Sequence, residues 1–293
     1  MTPALNEGQM RALSVKPIAE VNRLQFKFVE VDQAPAMEQR FTFNTVAELY
    51  DQARAGYPQA LYDDLTEFAN LSPGDAILEV GCGTGKATEE FARRGLTVIA
   101  LDPGPDMIAT ARRRVAPSNR VRFVQTTFEA WPIEPGAFRL VAAAQSWHWI
   151  APEIRFNKAF ETLAPKGALA VFGTSPEPVP QPLRGALEKV YSLHAPELGG
   201  PPPEHAYLPS GPFPGDFDRS SLFGPVTHRS YPWSRSFSAQ SYVEYLGTVS
   251  RYQLLEEKRR DRLLAAIAGE IEANGGAFDA PVETHLYLAV RKA

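Results

Sequence analysis

The apolar positions of this chain follow two rhythms that alternate along most of its length. AILEV (Ala76 to Val80), TVIALD (Thr97 to Asp102), VRFVQ (Val121 to Gln125), RLVAAA (Arg139 to Ala144) and ALAVFG (Ala168 to Gly173) are short apolar runs, the pattern of strands buried on both faces. Lys86 to Arg94, Met107 to Val115 and Pro152 to Leu163 lie between them and read as helices. Strands that alternate with helices require crossovers, and right-handed crossovers put helices on both sides of a parallel sheet. A doubly wound, Rossmann-like α/β sheet is the expected fold.

The flanks add to this. From Phe41 to Leu71 the pattern is helical, with Val46, Leu49 and Tyr50 on one face and a second amphipathic run from Gln59 beyond Pro58. The rhythm breaks at Gly173, where residues 174–225 hold the proline clusters PEPVPQP, PPPEH and GPFPGDF around one expected helix, Leu183 to Leu198. Thirteen of the 30 residues from Pro196 to Pro225 are Pro or Gly, against a usual combined level of about 12%, so no long helix or regular sheet is expected there. Tyr207, Leu208, Phe213, Phe217, Leu222 and Phe223 nevertheless give the segment apolar surface that a lid or wall would bury. Strand-like Val226 to Trp233, a helical region from Ala239 to Asn274 and alternating Ala280 to Val290 follow, and the two late strands should add an antiparallel edge to a sheet of about seven strands. Leu24 to Val31 alternates like a strand between Pro17 and Pro35. The expected organisation is an N-terminal extension (1–40), a core with cap helices (41–173), a Pro-rich cap (174–225) and a C-terminal part that completes the core (226–293).

Composition narrows the function classes. The chain has 293 residues, 44% hydrophobic and 22% charged, enough to bury a core in one domain plus a cap. A net charge of -4, with no Lys/Arg run longer than three residues, offers little to neutralise phosphates, so nucleic acid is not an expected partner. Cys82 is the only cysteine, which rules out an intrachain disulfide. The first residues lack an apolar secretory core and no stretch approaches the roughly 18 apolar residues of a membrane span. A cytoplasmic protein with no membrane partner, monomeric or homodimeric, is expected.

LEVGCGTGKAT (Leu78 to Thr88) carries the chemistry. It puts Gly81, Gly83 and Gly85 between a strand and a helix, where a backbone without Cβ atoms can lie against a ligand at a helix N-terminus. A dinucleotide fingerprint would need glycine at Lys86, and a P-loop would need glycine at Val80 and Ser or Thr at Ala87. The spacing therefore favours S-adenosylmethionine (SAM) over NAD or ATP. Asp102 ends the next strand, where a carboxylate can accept hydrogen bonds from ribose hydroxyls.

With AELYDQARAGYP (Ala47 to Pro58), the LEVGCGTG loop, AAAQSWHWI (Ala142 to Ile150) and SYPWSRSFSAQSY (Ser230 to Tyr242), the chain resembles the class I SAM-dependent methyltransferases from Phe41 to Lys292, in particular the trans-aconitate methyltransferase-like, small-molecule branch. The resemblance implies that Glu79 and the three glycines surround the amino acid and ribose of SAM, that Asp102 holds the ribose, that Met107 lies against adenine, and that Tyr50 and Arg54 close over the methionine end. Thr127 stands where the family usually has an acidic acceptor for the adenine amino group, and it is expected to serve with Phe128. Gln145, within AAAQSWHWI, completes the cofactor set.

Tyr57, Trp147, Trp149, Phe213 and Phe217 are the candidate acceptor-binding residues. His148 follows the fourth strand, at the carboxyl edge of the sheet, and is the candidate general base towards a hydroxyl, phenol or acidic carbon, since imidazole titrates near neutrality. Cys82 reads as a small residue filling a tight turn. His194, His205, His228 and His285 show no ligand spacing, so no metal is expected. The expected activity is methyl transfer from SAM to an O, N or C centre of a small-molecule acceptor, in secondary metabolism or on a small organic acid. A SAM-binding protein without methyl transfer is the alternative.

Overall fold

The five early apolar runs form β1 (Ala76–Val80), β2 (Thr97–Asp102), β3 (Val121–Gln125), β4 (Phe138–Ala144) and β5 (Leu163–Pro176). Their side chains are buried because helices cover both faces: Ile77, Leu78, Val98, Leu140 and Leu169 are all inaccessible. Around them lie α1 (Ala47–Ala53), α2 (Gln59–Phe68), α3 (Lys86–Arg93), α4 (Pro105–Arg114) and α5 (Pro152–Thr162). Proline at the first position starts both α4 and α5, with Asp106 and Glu153 in the first turns, and three arginines close α4. Both ends complement the helix dipole. This computed structural model describes residues 39–176, 178–200 and 207–293. The expected strand at Leu24 to Val31, with the rest of residues 1–38, lies outside the described residues.

Farther along the chain come α6 (Leu183–His194), α7 (Phe213–Ser220), β6 (Thr227–Ser238), α8 (Ala239–Gly247), α9 (Ser250–Gln253), α10 (Glu257–Ala273) and β7 (Ala277–Val290). The seven strands form one sheet in the order β3-β2-β1-β4-β5-β7-β6. β1 to β5 are parallel, and β7 is antiparallel to both neighbours. The fold is thus the expected Rossmann-like sheet, with one refinement: the last strand slips between β5 and β6 and leaves β6 at the edge. An edge strand tolerates Pro232, which has no N–H to give to a ladder. Strand building reverses direction between β1 and β4, and such a switch point opens a crevice at the carboxyl ends of the strands.

Several boundaries differ from expectation, each for a local reason. β5 continues past Gly173, because pairing of Thr174, Ser175 and Pro176 with Thr284, Glu283 and Val282 extends the ladder. The helix expected over Leu183 to Leu198 stops at His194: Ala195 precedes Pro196 and takes an extended φ of -155°, and a 3-10 turn follows. The region from Ala239 to Asn274 divides into three helices. Within the Pro-rich segment α7 forms because Phe213 and Phe217, one turn apart, both bury. They join Trp147, Phe156 and Phe223 in the core beneath one face of the sheet. An Arg155–Asp216 ion pair, with both side chains largely buried, fastens α7 to α5. Leu61, Leu65, Phe91 and Phe172 fill the other face, and α6, α8 and α10 share a third cluster around Leu187, Leu246 and Ile267. Among the described residues no helix is long and apolar enough to cross a membrane.

The junction from β6 into α8 depends on a reciprocal cap. Ser238 Oγ accepts from the Ser241 backbone N–H at 3.1 Å, and Ser241 Oγ accepts from the Ser238 N–H at 2.9 Å. Ser238→Ala should cost ~1 kcal/mol, a fall of about 2 to 4 °C in Tm, while Ser238→Asp restores the cap. Thermal denaturation followed by circular dichroism reads this, and an unchanged midpoint in the alanine variant would show that the cap contributes nothing.

Candidate cofactor and acceptor site

β1 turns into α3 through Gly81, Gly83 and Gly85, at φ of 71°, 54° and 82°, left-handed values that favour glycine. Two of these glycines are also required for space. A Cβ on Gly81 would sit 2.5 Å from that of Ser146, and one on Gly85 would sit 3.0 Å from that of Ala111. At Gly83 a Cβ would meet nothing within 4 Å. Gly81 and Gly85 therefore press the loop onto its neighbours, and Gly83 presents bare backbone to open space.

Asp102 holds the loop in place. Its Oδ2 accepts from the Gly83 N–H at 2.9 Å and its Oδ1 from the Gly104 N–H at 2.8 Å. Burial pushes the carboxyl up to about 6, against the pull of those two amides. It is charged at neutral pH, and each oxygen keeps lone-pair capacity for a further donor. Met107, one turn into α4, is buried and packs close to Gly104, where a Cβ would lie 3.2 Å from its Cγ. Asn44 bonds Asp106 through both its side-chain carbonyl and its amide, at 2.8 Å each, and so docks the 3-10 turn Thr42–Val46 on the start of α4.

Glu79, on β1, is inaccessible. One oxygen accepts from the Thr88 hydroxyl at 2.6 Å, whereas Oε1 has no hydrogen-bond partner. Burial pushes this carboxyl up to about 8; the Thr88 bond opposes the shift and the Asp102 charge adds to it. Glu79 thus carries a proton at pH 7. A bare backbone at Gly83, an orphaned carboxyl oxygen and a half-committed carboxylate fit a ligand that brings an amino group and adjacent hydroxyls.

The other candidates divide. Burial holds the Tyr57 phenol well up, and Tyr50, Tyr62, Tyr207 and Glu79 lie near enough to add to the effect. Tyr50, Tyr57 and Glu79 are thereby brought together. The Arg54 guanidinium lies 5.4 Å from the Tyr50 ring centre and 4.6 Å from that of Tyr245, and Nε donates to Thr248 Oγ1 at 2.8 Å. Thr127 Oγ1 accepts from the Ala130 N–H at 3.2 Å, and Phe128 is buried in the core. The Gln145 side chain spans to Thr174, accepting from its N–H at 2.8 Å and donating to its carbonyl at 3.3 Å. Trp147 is inaccessible in the core, as are Phe213 and Phe217 almost completely. Trp149 stays half-exposed, 4.5 Å from the His148 ring and 5.7 Å from Phe43.

His148 has an open edge to solvent, yet the protein around it is dense: burial, with help from the Arg155 charge, pushes the imidazole down to about 4. The shift is downward from the ordinary imidazole range, so the ring is neutral at pH 7. Its Nδ1 lies 3.3 Å from the hydroxyl of Tyr207. Tyr207 had no assigned role in the sequence beyond apolar surface in the Pro-rich segment, and no local signal marks it. Only the fold brings it over Gly173, where a Cβ would stand 2.6 Å from its ring.

Residues 77–167 match the methyltransferase domain family. An uncharacterized methyltransferase-like protein of Schizosaccharomyces pombe is 28% identical over 77% of this chain and 84% of its own. Several other curated relatives are spanned over only about half of their length. Among solved structures, a putative type II methyltransferase of Anaeromyxobacter dehalogenans superposes with a TM-score of 0.54 at 20% identity, covering 82% of this chain and 97% of that one. A Haemonchus contortus phosphoethanolamine N-methyltransferase, solved with S-adenosylhomocysteine, gives 0.52 at 14% identity, over 90% and 61%. These similarities show the fold.

Glu79 generates a pH prediction for the cofactor-free protein. Its proton is kept on folding and released on unfolding between the ordinary carboxyl range and about 8. Stability from this group is therefore full at low pH and lost as pH rises through about 8. Glu79→Gln, which mimics the protonated form, should flatten the decline in Tm between pH 6 and pH 9. Parallel declines in both proteins would show that Glu79 is not the group responsible.

Proposed function

From the SAM-dependent methyltransferase domain that this chain carries, with S-adenosylmethionine as its cofactor, we propose that the protein transfers a methyl group to an O, N or C centre of a small-molecule acceptor. On this reading the acceptor is bound beside Tyr57, His148, Trp149 and Tyr207. Gly83 carries this reading: its left-handed backbone faces open space while its N–H is tied to Asp102. The segments Ala47 to Pro58 and Ala142 to Ile150 resemble the trans-aconitate methyltransferase-like branch, which makes small organic acids the first acceptors to test.

Bound SAM supplies a methyl group on a cationic sulfur, ready for displacement by an aligned nucleophile. Asp102 accepts the ribose hydroxyls with its remaining lone pairs, and Glu79, its proton drawn off by the positive charge of the ligand, accepts from the amino group through its orphaned oxygen. The glycine loop lines the amino acid portion, Met107 flanks adenine, and Thr127 and Phe128 border it from the loop after β3. Tyr50 and Arg54 close the methionine end, with Gln145 shaping the sheet edge behind it. Tyr57, Trp149 and Tyr207 keep water from the acceptor. Alignment and exclusion of water supply most of the rate, because methyl displacement needs no obligatory proton transfer.

Asp102→Ala should weaken S-adenosylhomocysteine binding by roughly 2 to 4 kcal/mol, through loss of a charged acceptor in a partly dry site. For the unaltered protein, affinity should fall as pH drops below about 6, where Asp102 takes up its proton. Calorimetry from pH 5 to pH 8 measures both, and an Asp102→Ala variant that binds normally would place the ribose elsewhere.

Turnover gives a separate check. Against a panel of small acids, His148→Ala should retain S-adenosylhomocysteine affinity and lose at least tenfold in kcat/KM. Methylation of no panel member by the intact protein would favour a SAM-binding role without transfer.

A further inference from the structure

The sequence marks His148 as a base, but its surroundings suit the opposite role. Tyr207 is held from three sides. Its backbone carbonyl accepts from the buried Tyr287 hydroxyl at 2.8 Å. Its ring lies over Gly173, where no side chain fits, and meets Phe213 edge-on at 5.0 Å. Phe213 belongs to α7, which the Arg155–Asp216 pair fastens to α5. Tyr207 is almost completely buried, and this packing keeps its ring in place beside the imidazole. That hydroxyl stands 3.3 Å from Nδ1.

We propose that Tyr207 is a positioning residue for His148: its hydroxyl donates to Nδ1, which fixes the neutral ring with its proton on Nε2 and makes it a hydrogen-bond donor towards the acceptor. Two general facts set the direction of the bond. A phenol O–H is a better donor than a neutral imidazole N–H, and a ring nitrogen lone pair is a better acceptor than a phenol oxygen. The ring is neutral at pH 7, since burial and the Arg155 guanidinium both oppose its charge, and a neutral imidazole has one donor and one acceptor nitrogen. With Nδ1 accepting, Nε2 has no lone pair to offer as a base. It can hold an oxygen of the acceptor, whether carbonyl, carboxylate or ether.

One consequence concerns the acceptor and rests on the proposed methyl transfer beside His148. The attacking atom reaches the site with its lone pair already available at neutral pH, as an ionised oxygen or an unprotonated nitrogen does. Acceptors that require a base to strip a hydroxyl would be poor ones. When an ionised oxygen attacks, its bond to the methyl carbon forms as the carbon–sulfur bond breaks, the two charges cancel, and no proton is released to His148.

The test reads the ring directly and needs no acceptor. The full chain is labelled with 15N-histidine, and the signals of His148 among the five histidines are identified from their loss in His148→Gln. At pH 7 the expected spectrum shows one tautomer, with Nδ1 unprotonated and Nε2 protonated. In Tyr207→Phe both nitrogens should shift towards the averaged values of a free imidazole. With an acceptor in hand, the same variant should raise KM several-fold and change kcat less. A protonated Nδ1 in the intact protein, or His148 signals unchanged in Tyr207→Phe, would overturn the proposal. Should Tyr207→Phe not fold, the spectrum of the intact protein decides alone. S-adenosylhomocysteine binding measured on the same samples separates this outcome from failure of the cofactor reading.

Discussion

One carboxylate ties the site together. Asp102 sits where β2 ends and accepts from Gly83 in the loop after β1 and from Gly104 in the loop before α4. The two loops border the same crevice, and without a common acceptor each would leave an amide to find water or another partner. Burial charges a penalty on that carboxylate, visible in its rise to about 6, and the two N–H bonds offset enough of it to keep the group ionised at neutral pH. The loop is therefore shaped before any ligand arrives, which lowers the ordering cost of binding.

The glycines explain how the tie is possible. Gly81 and Gly85 are needed for close contact with Ser146 and Ala111, while Gly83 has space and needs only its left-handed backbone. Three glycines at alternate positions thus perform two different tasks, two in close packing and one in turning the backbone. Glu79 complements the arrangement from beneath. Its proton, held up to about 8 by burial, lets an acidic residue occupy an inaccessible position with one oxygen unpartnered, at a smaller penalty than a bare charge would impose.

Much of this was legible in the sequence because it is local. The β1 loop spans a few consecutive residues, Asp102 lies one strand farther on, and two-sided burial gives the parallel strands their unbroken apolar runs. Long-range facts were harder to read. β7 pairs with β5 and β6 through residues more than a hundred positions from β5, and nothing in its alternation says that it lies inside the edge strand. Phe213 and Phe217 read as acceptor contacts because they give the Pro-rich segment apolar surface that a lid or wall would bury. The structure uses them as anchors, since two phenylalanines one helical turn apart bury best against Phe156 and Trp147. Their neighbour Tyr207 reaches His148, a contact between residues 59 positions apart.

This division assigns different physical origins to the two halves of the crevice. The cofactor side is built from strand ends and backbone groups, whose positions follow from sheet register and tolerate few changes. On the proposed reading, the acceptor side draws on the side chains of Tyr57, His148, Trp149 and Tyr207, which come from three separate segments. Each segment is fixed by contacts of its own: Arg54 to Thr248, Gln145 to Thr174, and Tyr287 to the Tyr207 carbonyl. A substitution in one of these segments can alter the wall, because the contacts that hold each segment run to Thr248, Thr174 and Tyr287. On the proposed reading, cofactor binding and acceptor choice can therefore vary independently on this sheet.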